Sequence, residues 1–431
     1  MPCQCQTYSV ASKGDHLNLA ILSLCGLAIA VVVSFTAKVN VGVLAIALAW
    51  LIGVVIGELP FAEVAAGFPA QLFLMLAGVT LLFTQAQLNG TLDRIAHRAV
   101  RICRGNAGMI PVMFFFLACV LASIGPGSIA MAALLGPMAM KVAGQANISA
   151  FLMTIMVANG AQAGSLSPIA PTGIIVSTSL AEIGITGVEW PTYLNVLIAH
   201  TAVAFAGYFA FGGWRLFRRR YEGQPDGEEA ALDRFGRAHW ITLAVITALV
   251  VAVILFKINV GMGAFAGAIL LSLFRVATGG DAVRQMPWGP ILMVCGVTVL
   301  VALVEKTHGM ELFTGLLARF STRETVTPMI AFVTGLISVY SSTAGVVLPA
   351  FLPTVPGLSE ELGAEMLPII YSICVGSHLV DISPLSTTGA LCIAAAPPAE
   401  NYQSLFNKLL AWGLSMSLVG AAASWLFFGL L

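Results

Sequence analysis

Four short polar stretches interrupt otherwise apolar sequence, two in each half of the chain. They read Ser123-Ile124-Gly125-Pro126-Gly127-Ser128, Gln162-Ala163-Gly164-Ser165-Leu166-Ser167-Pro168, Ser341-Ser342-Thr343-Ala344-Gly345 and His378-Leu379-Val380-Asp381-Ile382-Ser383-Pro384. Pro168 and Pro384 each remove a helix donor and clash with the preceding turn, so a helix stops there and a second half-helix begins beyond. Free N–H groups and the dipole at such a beginning attract anions. The unwound carbonyls and the Ser and Thr hydroxyls suit Na+, a hard cation that prefers oxygen. A small organic anion can thus be held without a buried Lys or Arg, and the breaks contain neither.

The candidate substrate contacts follow from this geometry. The first tip offers Gly125, Pro126, Gly127 and Ser128, and the first break offers Gln162, Ser165, Ser167, Pro168 and Thr172. The second tip offers Ser341, Ser342 and Thr343, and the second break Ser383, Pro384, Thr387 and Thr388. A carboxylate inside a span is costly to bury and marks a functional candidate. Asp381 either ligates Na+ or carries a proton; otherwise it takes hydrogen bonds from backbone N–H groups and holds the break open. His378 beside it is either a packed histidine or a proton or substrate group. With Ser342, Thr343 and Ser383 these two make up the expected cation-coupling set. The first half places Gly164 where the second places Asp381, so the breaks are not equivalent.

Backbone at membrane depth is non-helical only where it is buried in protein or lines a water-filled cavity, so the surrounding elements must be membrane helices. Of the 431 residues, 58% are hydrophobic and 9% charged, against about 25% charged in soluble domains. A spanning helix needs about 20 apolar residues. Such runs occur near 17–37, 40–57, 69–88, 149–181, 192–213, 240–257, 259–276, 288–304, 365–396 and 405–430. Segments 107–143 and 326–357 are apolar with a Gly-rich polar tip, and read as re-entrant hairpins or as two short spans each. The runs 149–181 and 365–396 are too long for one straight span, and read as broken helices.

An internal repeat organises these elements. Lys38-Val39-Asn40-Val41-Gly42 returns as Lys257-Ile258-Asn259-Val260-Gly261, offset 219 (257 − 38). Leu74-Met75-x-x-Gly78-Val79-Thr80 returns as Leu292-Met293-x-x-Gly296-Val297-Thr298, offset 218 (292 − 74). Ser167-Pro168-x-x-x-Thr172-Gly173 returns as Ser383-Pro384-x-x-x-Thr388-Gly389, offset 216 (383 − 167). The expected fold is therefore an all-α polytopic membrane protein of two repeats, each five transmembrane helices plus one re-entrant hairpin. Five being odd, the second repeat is inverted. The boundaries are a tail (1–16), a first repeat (17–213), a linker (214–239) and a second repeat (240–431).

Charge sets the orientation. Lys38, Arg94, Arg98, Arg101, Arg104, Lys141, Arg215, Arg218, Arg219 and Arg220 fall on one side of the first repeat, and Glu58, Glu63, Glu182 and Glu189 on the other. The excess of Lys and Arg puts that side in the cytoplasm, the N-terminus outside and the linker inside. Lys306, Arg319 and Arg323 of the second repeat fall on the outer side. The eight Cys are scattered, with one C-x-C at Cys3 and Cys5, and form no zinc pattern. The first apolar run, from Leu17, lacks a basic leader and a small-residue cleavage site, and reads as a retained helix. Twenty basic and twenty acidic residues balance, which names no nucleic-acid partner. No HExxH, GxSxG or P-loop pattern occurs in the breaks, so no enzyme chemistry is expected.

Several blocks together resemble a known family. Gly67-Phe68-Pro69-x-x-Leu72-Phe73-Leu74, Gln87-Leu88-Asn89-Gly90-Thr91-Leu92-Asp93, Gly160-Ala161-Gln162-Ala163-Gly164 and Val380-Asp381-Ile382-Ser383-Pro384-x-Ser386-Thr387-x-Gly389-Ala390-Leu391 resemble the MatC-type malonate and dicarboxylate carriers. These are grouped in the ion transporter superfamily with the divalent anion:sodium symporters. The resemblance implies import of a small dicarboxylate coupled to Na+ or H+, an elevator-like motion of the hairpin-bearing domain, and often a homodimer. The symporters carry Ser-Asn-Thr at both hairpin tips, where it meets substrate carboxylate and lines the Na+ sites. Ser341-Ser342-Thr343 is close to that signature, and Gly125-Pro126-Gly127 departs from it. The expectation is a secondary carrier for malonate or a C4-dicarboxylate in a bacterial inner membrane, with no cofactor beyond Na+ as coupling ion. The alternative is a Na+/H+ or other ion antiporter of the same superfamily.

Overall fold

The computed structural model describes residues 13–36, 39–102, 106–220, 235–256, 258–397 and 400–429. The expected tail, with Cys3 and Cys5, lies almost wholly outside the described residues, as does the middle of the expected linker, 221–234. Regular structure among the described residues is helical, apart from one isolated antiparallel bridge between Asn106 and Arg220.

The first half runs α1 (Lys13–Thr36), α2 (Val41–Ala49), α3 (Ala70–Leu88), α4 (Thr91–Ile102), α5 (Met109–Ile124), α6 (Gly127–Gln145), α7 (Ala150–Ser165), α8 (Pro171–Glu182) and α9 (Glu189–Ala210). From Arg237 the same order of elements recurs: α10 (Arg237–Phe256), α11 (Val260–Leu273), α12 (Trp288–Lys306), α13 (Gly309–Arg319) and α14 (Val326–Tyr340). A mixed helical run from Thr343 to Leu362 then stands where α6 stood, followed by α15 (Met366–Leu379), α16 (Thr387–Ala394) and α17 (Tyr402–Ser424).

The recurring sequence blocks have local causes. Asn40 caps α2, its Oδ1 accepting from the N–H groups of Gly42 at 3.0 Å and Val43 at 3.3 Å. Asn259 caps α11 in the same way, accepting from Met262 N–H at 3.1 Å. An Asn side chain at this position satisfies an orphan donor of the first turn. Gly42 lies where a Cβ would strike the α12 backbone at Leu292, and Gly261 where one would strike the α3 backbone at Met75. The helices of each block therefore pair with those of the other half, α2 against α12 and α11 against α3.

Two apolar cores result, and neither belongs to one half of the sequence. One gathers α3, α5, α6 and α7 with residues of α10 and α11; the other gathers α12, α14 and α15 with residues of α1 and α2. The surface is apolar as well: Ile198 is 61% exposed, Leu255 69%, Leu273 72% and Leu418 64%. Leucines so exposed on long helices belong against lipid. Among the described residues five helices are long and apolar enough to cross a membrane, with seven shorter apolar ones beside them. The shorter ones include the first half of the second broken run, Met366–Leu379, and the first arm of each hairpin, Met109–Ile124 and Val326–Val339. The first hairpin arm, α5, is a shorter one, but α6 is 19 residues long and qualifies as a span by length.

Candidate functional site

Both long runs are broken. α7 stops at Ser165 and the chain turns through Ser167, whose N–H donates to Gly164 O at 3.2 Å, before Ala170 N–H returns to Ser167 O at 2.9 Å. α8 then begins with Pro171 at its first position, where the missing N–H costs nothing. The second break repeats the construction: Ser383 N–H donates to Val380 O at 2.9 Å and Ser386 N–H to Ser383 O at 3.0 Å, before α16 starts at Thr387. Gly173 and Gly389 let the new half-helices lie directly on the Ser167 and Ser383 carbonyls, which any Cβ would strike.

The hairpin tips are tight. Gly125 has φ +148° and Gly127 φ +77°, conformations that glycine alone adopts without strain. At the second tip Ser342 Oγ accepts from Gly345 N–H at 3.0 Å and caps the next helical turn. Thr343 Oγ1 lies 2.5 Å from Ser338 Oγ and donates to Ser377 O at 3.3 Å, fastening this tip to the end of α15.

Tips and breaks meet at one cavity of about 480 Å³. Pro126, Gly127 and Ser128 line it from the first tip, and Gln162 and Thr172 from the first break. Ser341 and Ser342 line it from the second tip, and His378, Asp381, Thr387 and Thr388 from the second break. Four helix beginnings thus border one space: α6, α8, the run from Thr343, and α16. No Lys or Arg is among the described lining residues. Gly125, Ser165, Ser167, Pro168, Thr343, Ser383 and Pro384 are not in the lining. They sit one layer back, where the Ser167 and Ser383 carbonyls face Gly173 and Gly389.

The polar centre joins the two halves. Gln162 Nε2 donates to Asp381 Oδ2 at 2.7 Å and lies 3.2 Å from Thr388 Oγ1. Ser386 Oγ donates to Asp381 O at 2.7 Å and caps α16 through Gly389 N–H at 3.3 Å. His378 Nδ1 lies 2.9 Å from Cys374 O. A carbonyl only accepts, so Nδ1 carries the hydrogen, and in the neutral ring Nε2 keeps its lone pair. The Ser-Pro blocks, at an offset of 216 (383 − 167), align Asp381 with Ser165 and His378 with Gln162. This corrects the pairing of Asp381 with Gly164; Gly164 instead gives α7 its close approach to Cys119 O of α5.

Five further polar residues line the cavity: Asn40, Thr80, Thr84, Gln87 and Gln285. Asn40 and Thr80 stand in the recurring blocks and Gln87 in a block of the family resemblance, signals that mark repeat and family rather than a cavity, while Thr84 and Gln285 carry no sequence signal. Asn159 and His200 form a fully buried pair behind the lining, with His200 Nδ1 2.8 Å from Asn159 Oδ1.

A second cavity of about 490 Å³ is lined by Pro69, Leu72, Met75, Ser177, Thr178 and Glu182, among others. The positions of Pro69, Leu72 and Met75 correspond, 218 residues later (287 − 69), to Pro287, Pro290 and Met293, which line the first cavity; the Pro and the Met are kept and Leu72 is replaced by Pro290. Burial, and after it the neighbouring Glu305 carboxylate, push the Glu182 carboxyl at this mouth above its ordinary range.

Comparison with known proteins adds three findings. Residues 17–165 match the family model described as the N-terminus of the dicarboxylate carrier protein MatC. No curated protein matches the chain. Among solved structures, the YdaH transporter of Alcanivorax borkumensis, described as having an unusual topology, aligns with a TM-score of 0.57 at 14% identity, covering 96% of this chain and 97% of its own. MtrF of Neisseria gonorrhoeae, described as illuminating a class of antimetabolite efflux pumps, aligns with a TM-score of 0.58 at 13% identity, covering 95% and 94%. At these identities the likeness is one of fold. The match to a carrier family over residues 17–165, a fold shared with two solved transporters over nearly the whole length, and the apolar helices together mark a multi-pass membrane protein.

Proposed function

We propose that the chain is a secondary active carrier of a small dicarboxylate, malonate or a C4 acid, coupled to Na+ or H+. The observation that carries this reading is the meeting of four helix beginnings and the Gln162–Asp381 pair on one cavity of about 480 Å³. The beginnings of α6, α8 and α16 and of the run from Thr343 offer partial positive charge and free N–H groups to carboxylate oxygens. The volume lies within the common range for small-molecule sites. Asp381 makes coupling a necessity. A second carboxylate beside an ionised one is strongly disfavoured in a low-dielectric site, so a dianion enters only with a cation that neutralises Asp381, either Na+ or a proton. The matched MatC family, whose description names dicarboxylates, supports this substrate class.

The two halves, 17–213 and 240–431, are taken as inverted repeats, which supports alternating access by a sliding, elevator-type motion of the hairpins and broken helices. In this orientation the N-terminus is outside and the membrane is a bacterial inner membrane. Lys306, which the sequence puts on the outer side, is ion-paired with Glu63 there. A homodimer fits the resemblance.

The test is uptake of radiolabelled malonate and succinate into proteoliposomes under an inward Na+ gradient, a pH gradient, or neither. Saturable uptake that needs one of the gradients is expected; uptake of neither acid under either gradient overturns the reading. The presence of Asp381 and His378 on the cavity also favours a second reading, an ion antiporter without organic substrate. Na+-driven proton release in vesicles free of any acid would identify it.

A further inference from the structure

The transport cavity makes no use of the basic stretch that follows α9. Arg215, Arg218, Arg219 and Arg220 are all exposed, and none has an ion-pair partner among the described residues. Exposed apolar rings stand among them: Phe211 is 51% exposed, Trp214 47% and Phe217 41%. The Arg215 guanidinium lies over the Trp214 ring at 5.4 Å. These residues follow directly on a 22-residue spanning helix. A helix of that length, at about 1.5 Å per residue, reaches across the hydrocarbon layer and ends among the headgroups.

The stretch is moulded to the protein. A 3-10 turn, Gly213–Arg218, follows Gly212, which has φ +82°. Tyr208 OH lies 2.7 Å from Gly213 O and 2.9 Å from Gly108 O, holding both. Asn106 Nδ2 donates to Phe217 O at 3.3 Å, and Ala107 N–H to Arg219 O at 3.1 Å, beside the Asn106–Arg220 bridge. Gly108 is needed here, because a Cβ would come 2.7 Å from the Phe217 nitrogen. The arginines are therefore presented from a fixed backbone that leans on the base of α5, the first arm of the hairpin. Such preorganisation lowers the ordering cost of binding.

We infer that Phe211–Arg220 is a docking site for the headgroup of an anionic phospholipid, the guanidiniums meeting its phosphate and the aromatic side chains its glycerol and upper acyl region. Guanidiniums pair phosphate bidentately, and basic residues at the cytoplasmic surface draw anionic lipid. Charge alone would also suit the acid-rich residues 222–233 of this chain. The exposed aromatic floor favours lipid, since a polar acidic tether gains nothing from Phe211, Trp214 and Phe217. The inference rests on the orientation proposed above, with this end of α9 at the cytoplasmic headgroup layer, and not on what the cavity carries.

The test uses the full chain, delipidated in detergent. Native mass spectrometry would count retained phosphatidylglycerol against phosphatidylcholine, and a titration with each lipid would follow the melting temperature. Wild type is expected to retain phosphatidylglycerol preferentially and to be stabilised by it, and inorganic phosphate to do neither. In Arg218→Gln/Arg219→Gln/Arg220→Gln the apparent affinity for phosphatidylglycerol should fall roughly fivefold for each guanidinium removed, while Arg319→Gln/Arg323→Gln leaves it unchanged. Equal retention of the two lipids by wild type overturns the inference without any variant. So does a phosphatidylglycerol response that survives the triple substitution, or one that inorganic phosphate reproduces.

Discussion

Asp381 and Gln162 show what a residue-level reading of a membrane chain can recover. Asp381, the one acid between Met366 and Ala396, stands out because burying it uncompensated costs several kcal/mol. Its partner stands out less, since an amide is tolerated as a helix-to-helix contact, yet Gln162 is the donor that meets Asp381 at 2.7 Å. Asn159 and His200 show the limit: both belong to unbroken helical stretches, so their pairing was not legible in sequence. Asp381→Asn keeps an oxygen that accepts from Gln162 and removes the charge that must be neutralised. The variant is expected to fold and melt close to wild type while losing the dependence of uptake on the cation gradient. Flow-dialysis uptake at several Na+ concentrations and pH values checks this. Unchanged cation and pH dependence would leave Asp381 a structural acceptor.

At the scale of elements, the breaks were legible because Gly, Ser and Pro cluster where a helix should continue. Their detail was not. Pro168 lies inside the turn, and it is Pro171 that opens α8; Ser167 and Ser383 spend their carbonyls against Gly173 and Gly389. Two kinds of glycine follow from this architecture. Gly127 has φ +77° with the Pro171 ring 3.1 Å from a built Cβ, and at Gly345 a Cβ would come 2.5 Å from Met293 Cε. Gly127→Leu and Gly345→Leu are each expected to abolish uptake while the protein still reaches the membrane; normal uptake by both would remove the tips from the site. Gly160 and Gly376 instead seat the broken helices on their hairpins, where a Cβ would strike Phe115 O and come 2.5 Å from Ala331 O. Gly160→Ala and Gly376→Ala should each destabilise by about 1–3 kcal/mol, the usual cost of overpacking. Gly280→Ala, with open space around it, is the control in the same denaturation series, and a loss no greater than the control's would mean that the backbones part easily.

At the scale of the molecule, the repeat was visible in three spaced blocks, but its consequence was not. Sequence suggests two successive bodies; the structure interleaves them, with α2 on α12 and α11 on α3, because Asn-capped, Gly-bearing helices approach most closely across the halves. The two cavities make this arrangement mechanical. Leu76, Thr80 and Gln87 of α3 line the first, and Ala70, Leu72 and Met75, from its start up to the residue before Leu76, line the second. Gln87 and Ala70 stand 17 residues apart (87 − 70), about 26 Å along the helix, so the far ends of the two cavities point to opposite ends of α3, and Pro69, Leu72 and Met75 do for one what Pro287, Pro290 and Met293 do for the other. If these are the two mouths of one pathway, Gln285→Cys and Ser177→Cys, each placed singly in a chain freed of its eight native cysteines, will react with an impermeant thiol reagent from opposite sides of the vesicle. Saturating malonate should change the two rates in opposite directions, since opening one mouth closes the other. Labelling of both positions from the same side, or rates that malonate moves together, would mean that the second cavity is a surface recess and that access alternates elsewhere.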